Sequence, residues 1–176
     1  MAKVLIPIAE GSEELEAVTL IDILRRGGID VTVAGLQPGP VRCARRTVIL
    51  PDAALDEVLE THYDMVVLPG GTAGANHLRD DDRIVALLKR TLAEGGEAAA
   101  ICAAPKVLDR AGLLKTRRFT AYPGVLPGSS GNVIEIDGPV LTSRGPGTAM
   151  DFALALVEHL TDHTNREQVE AALQRP

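Results

Sequence analysis

The chain has 176 residues, 45% of them hydrophobic, and a formal net charge of −6. That is enough apolar material for one domain with a sizeable core, expected over residues 1–176, and it excludes a disordered chain. An acidic chain with 2% aromatic residues offers neither a basic face nor stacking platforms, so nucleic acid is not an expected partner.

The first apolar run, Val4–Ile8, reads as a buried strand. It is too short for a signal-peptide core or a membrane span, and no later tract is long enough to span, so a cytoplasmic protein with no membrane partner is expected. A helix follows from about Ser12 to Arg26, with Ser12 as its cap, Glu13 and Glu14 at its positive end and Arg25-Arg26 at its negative end. Leu15, Val18, Ile21 and Leu24 recur at helical spacing and are expected to face the sheet. Gly27-Gly28 stops the helix, and Ile29–Ala34 is the next strand, completing a βαβ unit with parallel strands.

Val41–Leu50 alternates like a strand or hairpin, and a short helix is expected from Pro51 through Leu59. Asp64–Leu68 is a core strand ending in the tight turn Pro69-Gly70-Gly71-Thr72. A helix is predicted over Asp80–Glu94, a strand over Ala98–Ile101, a helix over Pro105–Leu114 and a short strand over Arg118–Ala121. After a loop rich in Gly, Pro and Ser, a hairpin is expected around Asp137-Gly138, then the glycine-rich Thr142–Thr148, a helix from about Thr148 to Leu160, and a short helix over Asn165–Leu173. Strands alternating with helices predict an α/β fold with a mostly parallel central sheet.

Ala98–Pro105 carries the chemistry. A buried strand runs into Cys102, and Pro105 suits the first position of a helix, so Cys102 sits on a sharp strand-to-helix turn, a nucleophile elbow. The helix N-terminus is expected to favour the thiolate. Ligands of open α/β sheets bind beyond the carboxyl ends of the strands. There Ala9–Glu16, Pro69–Thr72 and Cys102–Pro105 are expected to gather, with the amides of Gly71 and Ala103 as an oxyanion hole and Glu16 in reach of the thiol. Cys43 is expected to be packed or at a subunit interface. The four histidines, His62, His77, His159 and His163, fit no metal-ligand pattern and are taken as surface residues.

Four stretches, Gly11–Glu16, Val67–Gly71, Ala99–Pro105 and Leu141–Thr148, stand together in one order. On them the chain resembles the ThiJ/PfpI superfamily, in the branch of the Parkinson-associated protein DJ-one and its bacterial relatives, as a bacterial-type member. The resemblance implies a flavodoxin-like three-layer sandwich, a homodimer and no cofactor or metal. It also implies Cys102 as the reactive cysteine, Glu16 as a protonated carboxyl hydrogen-bonded to it, and Gly70, Gly71 and Ala103 lining the pocket. Arg45 matches an arginine near the pocket, a possible anion contact. Ala103 stands where protease-like members have a histidine after the nucleophile, which makes a protease unlikely. Tyr122 stands where the DJ-one branch often has a catalytic histidine, and a phenol with a pKa near 10 is a much poorer base at neutral pH.

The implied activity is a cofactor-independent glyoxalase or deglycase acting on small aldehydes and dicarbonyls in stress protection. The alternative is a non-enzymatic oxidative-stress sensor or redox-regulated chaperone acting through oxidation of Cys102.

Overall fold

A computed structural model describes residues 1–175, so only Pro176 of the expected domain lies outside the described residues. The chain opens with β1 (Lys3–Ile8), α1 (Glu14–Arg26) and β2 (Asp30–Gly35). Short pieces β3 (Val41–Arg42), β4 (Val48–Ile49), β5 (Ala53–Ala54) and α2 (Leu55–Val58) follow. Then come β6 (Met65–Leu68), α3 (Thr72–Asp80), α4 (Asp82–Ala93), β7 (Glu97–Ile101) and α5 (Pro105–Arg110). β8 (Ile134–Asp137), β9 (Val140–Ser143), α6 (Ala149–Leu160) and α7 (His163–Ala172) complete it.

Seven strands form one sheet in the order β5-β2-β1-β6-β7-β9-β8. All neighbours are parallel except β8, which runs antiparallel to β9. Period-two alternation splits the strand side chains between two cores. Val4, Ile6 and Ile8 pack with Leu20, Leu24, Phe152 and Leu156 on one face. Leu5, Val66 and Leu68 pack with Leu78, Ile84, Leu88 and Leu108 on the other. This is the expected α/β sandwich with a central, mostly parallel sheet.

Several local expectations need correction. The cap of α1 is Glu13, whose carboxylate accepts the Glu16 amide, while Ser12 Oγ instead accepts the Ala9 amide at 3.0 Å. The buried stripe of α1 is Glu16, Ala17, Leu20, Ile23 and Leu24. Leu15 and Val18, expected inward, are 52% and 49% exposed. The helix predicted over Asp80–Glu94 is α4, which starts two residues later because Asp81 adopts an extended backbone and caps it with its side chain on the Arg83 amide. α3 was not foreseen: Gly74 and Asn76 are poor helix formers, and they mask its period. The expected strand over Arg118–Ala121 does not form. Its amides are taken by side chains: Arg118 by Asp137, Thr120 by Thr142 and Ala121 by Ser129, so no ladder is left to build.

Candidate active site

β1, β6 and β7 are neighbours in the sheet and parallel, so the segments leaving their carboxyl ends meet at one edge. The segment after β1 is sewn to the others by backbone bonds: Glu13 N–H donates to Gly70 O at 3.0 Å, and Gly11 N–H to Arg42 O at 2.9 Å. Cys102 ends the strand-to-helix turn with φ +64°, a left-handed backbone that costs a non-glycine residue about 1–3 kcal/mol. Tertiary bonds hold it there. Its amide donates to Ser143 O at 3.0 Å, and its carbonyl accepts the Tyr122 amide at 2.8 Å. The side chain is aimed at the edge of the sheet and only 8% of the residue is exposed.

Glu16 is wholly buried, and its Oε2 accepts the Gly70 amide at 2.7 Å. Its other oxygen, Oε1, is buried without a hydrogen-bond partner, and the carboxyl lies close enough to the Cys102 thiol for each to shift the other. Burial pushes the Glu16 carboxyl up to about 7, against the pull of the Cys102 thiol and the Gly70 hydrogen bond. The expectation of a stabilised resting thiolate is not met. Burial first, then the neighbouring Glu16 charge, push the Cys102 thiol up to about 12, while the Gly71 and Ala103 amides pull the other way. α5 is only six residues long and starts three residues beyond the sulfur, so its dipole contributes little. Cys102 and Glu16 thus form a buried pair between which a proton can move.

The two glycines are required by proximity. A Cβ on Gly70 would lie 2.6 Å from Glu16 Oε2 and 2.7 Å from Cys102 Cβ. Gly71 has φ +87°, and a Cβ there would lie 2.6 Å from the Glu13 amide nitrogen. The Gly71 and Ala103 amides both reach the Cys102 sulfur.

Cys102, Gly71 and Ala103 line a cleft of about 730 Å³ that also holds Tyr122, Arg45, Cys43 and His77, whereas Glu16 and Gly70, the latter expected on the pocket wall, are buried and do not line it. Tyr122 is half-exposed, and Arg45 is exposed, its own amide bound to Glu14 Oε1 at 2.7 Å. Cys43 is buried, and its thiol is pushed up to about 11 by burial and by the charges of Glu14, Glu10 and Glu13. Sequence reasoning missed His77 and Glu10, both on the cleft wall. The signal for His77 lay in its four-residue spacing from Ala73, readable only once α3 is recognised. Among the described residues, no three His, Cys, Asp or Glu side chains are grouped to hold a metal ion, and no helix is long and apolar enough to cross a membrane.

The sequence profile of the DJ-1/PfpI family matches residues 2–159. Protein dj-1beta of Drosophila melanogaster is 41% identical over 177 residues, covering 96% of this chain and 95% of its own. The glutathione-independent glyoxalase DJR-1.2 of Caenorhabditis elegans is 39% identical over 166 residues, covering 90% and 88%. Among solved structures, oxidised Toxoplasma gondii DJ-1 superposes with a TM-score of 0.94 at 37% identity, covering 98% of each chain. These eukaryotic proteins resemble the chain as well as or better than a DJ-1 superfamily protein of Salmonella typhimurium at 32% identity, so the expected bacterial-type placement gains no support.

Proposed function

The chain belongs to the DJ-1/PfpI family, and on that premise we propose that it is a single-domain, cofactor-independent glyoxalase or deglycase-like enzyme acting on small reactive carbonyls of the methylglyoxal class. The observation that carries this reading is the buried Cys102–Glu16 pair, with the Gly71 and Ala103 amides converging on the sulfur. The name of the Caenorhabditis elegans relative, a glutathione-independent glyoxalase, supports the same reaction without a thiol cofactor.

Such a pair suits an internal redox reaction. The Cys102 thiol adds across the aldehyde C=O of R–CO–CHO, forming a C–S bond, with its proton passing through Glu16 to the new alkoxide. A carboxyl held at about 7 both gives and takes protons near neutrality. Glu16 then removes the proton from C1 and returns it to C2 while the hydroxyl proton passes from O1 to O2, so C1 is oxidised to a thioester as C2 is reduced to an alcohol. Water cleaves the thioester, releasing the 2-hydroxy acid and restoring the thiol. No external oxidant or reductant enters. The amides of Gly71 and Ala103 stabilise the oxyanions on the way. Gly70 leaves room for the pair, Tyr122 donates a hydrogen bond to substrate oxygen, and Arg45 offers an anion contact at the rim. Ala103, in place of the protease-like histidine, makes peptide hydrolysis unfavourable. Lactate formation from methylglyoxal, measured in wild type and Cys102→Ser, tests the reading. A loss of at least a hundredfold is expected, and equal rates would remove it.

A second reading is favoured by the same amides, which would receive the oxygens of a Cys102 sulfinate. The solved Toxoplasma gondii relative is described as oxidised, and the chain would then be a redox sensor or redox-regulated chaperone. Mass spectrometry after mild peroxide should find two added oxygens on Cys102 before Cys43; the reverse order would count against it.

We further propose a homodimer. Leu15, Val18, Val48 and Leu50 are 52%, 49%, 59% and 76% exposed, and Val18, Ile49 and Leu50 line one shallow cleft between α1 and β4. Apolar side chains grouped in this way fit an interface between copies.

A further inference from the structure

His77 is the one histidine on the wall of the cleft that holds Cys102. Its Nδ1 lies 2.9 Å from the carbonyl oxygen of Glu10. A carbonyl only accepts, so Nδ1 carries the hydrogen and, in the neutral ring, Nε2 carries the lone pair. Nε2 has no protein partner among the described residues, and the side chain is exposed. His77 therefore presents a hydrogen-bond acceptor of fixed tautomer to whatever occupies the cleft.

Its place along α3 bears on the length of that occupant. The Gly71 amide lies near enough to the Cys102 sulfur to favour its charged form, and α3 begins at the next residue. Six residues of helix carry the chain about 9 Å from Gly71 to His77. Ala73 and His77, four residues apart, share the face that borders the cleft. A three-carbon dicarbonyl attached to Cys102 extends only about 2.5 Å, at about 1.2 Å per bond. A six-carbon chain extends about 6 Å and so reaches further along α3.

We infer that the cleft is built for a longer α-oxoaldehyde than methylglyoxal, a hydroxylated, sugar-derived one, with a distal hydroxyl donating to His77 Nε2. The inference rests on the glyoxalase reading. The character of the distal end selects the substituent: Glu10 stands beside His77, and both border a second cleft of about 560 Å³ whose rim carries Asp80 and Asp82. At the His77 end these carboxylates disfavour a carboxylate or phosphate tail, Arg42 and Arg45 being elsewhere among the residues lining the Cys102 cleft, and a bare alkyl chain offers Nε2 no donor. The chemistry is unchanged: R–CO–CHO plus water gives R–CHOH–COOH, with R now a polyhydroxylated chain.

The test compares kcat/KM for 3-deoxyglucosone with that for 2-oxohexanal, a six-carbon oxoaldehyde without the hydroxyls, in wild type, His77→Leu and His77→Gln. Methylglyoxal turnover is followed in all three and in Cys102→Ser. One neutral hydrogen bond predicts a five- to tenfold preference for the hydroxylated substrate in wild type. His77→Leu should bring that ratio to within twofold of unity, chiefly through KM, and His77→Gln, which retains an acceptor, should keep most of it. No preference in wild type, or the same preference in His77→Leu, overturns the inference and leaves the glyoxalase reading standing. Methylglyoxal turnover that does not depend on Cys102 overturns both.

Discussion

Replacing Glu16 with Gln should change how stability depends on pH, in a direction fixed by the buried carboxyl. Glu16 titrates near 4.5 when unfolded and at about 7 in the fold, raised chiefly by burial. Because the folded value is raised, its contribution to stability is fully present below about 4.5 and is lost as pH rises through about 7. At 1.36 kcal/mol per pH unit, the interval corresponds to about 3 kcal/mol. Gln cannot ionise, yet its Oε can accept the Gly70 amide and its NH2 can donate to the Cys102 sulfur, so it imitates the protonated acid. The stability of Glu16→Gln relative to wild type should therefore rise by about 3 kcal/mol between pH 4 and pH 8. Urea unfolding of the two proteins in parallel, at one protein concentration and at half-unit pH steps, measures this difference and cancels the titration they share. A difference that stays flat within about 0.5 kcal/mol, or one in which wild type gains as pH rises, would refute the reasoning.

Gly70→Ala should cost about 1–3 kcal/mol through overpacking against Glu16 and Cys102. It should also change the rate of Cys102 alkylation by iodoacetamide; an unchanged melting temperature and alkylation rate would contradict the packing argument. Tyr122→Phe should lower kcat/KM for methylglyoxal about fivefold, the worth of one hydrogen bond, whereas a loss of a hundredfold or more would make Tyr122 the base. Val18→Glu combined with Leu50→Glu should yield a monomer by sedimentation where wild type sediments as a dimer, and an unchanged mass would place any interface elsewhere.

The layers and the elbow were legible in the sequence because they depend on local signals. Val4–Ile8, Asp64–Leu68 and Ala98–Ile101 are short apolar runs with turn residues behind them, and the strands lie there within a residue or so. The stripe of α1 misled because it includes a buried carboxylate. Reading apolar spacing alone selects Leu15 and Val18, whereas the true stripe passes through Glu16. The same residue that breaks the pattern is the one the candidate site uses. Arg118–Ala121 misled for the opposite reason: its alternation is real, but the partners for its amides are side chains distant in sequence. His77 was hidden by its helix, since α3 offers only Ala75 and Leu78 as buried apolar side chains.

The bonds that hold the Cys102 backbone also set the order in which the site can be completed during synthesis. Its amide needs the carbonyl of Ser143, and its carbonyl needs the amide of Tyr122. Both lie well downstream, and β9, which carries Ser143, pairs directly with β7. A nascent chain that has emerged only as far as α5 therefore contains Cys102, Glu16, both glycines and the local Ala104 N–H to Ile101 carbonyl bond, but neither long-range bond to the cysteine backbone. Those two bonds close only after four-fifths of the chain has been made, when most of the sheet is already available to shield the sulfur.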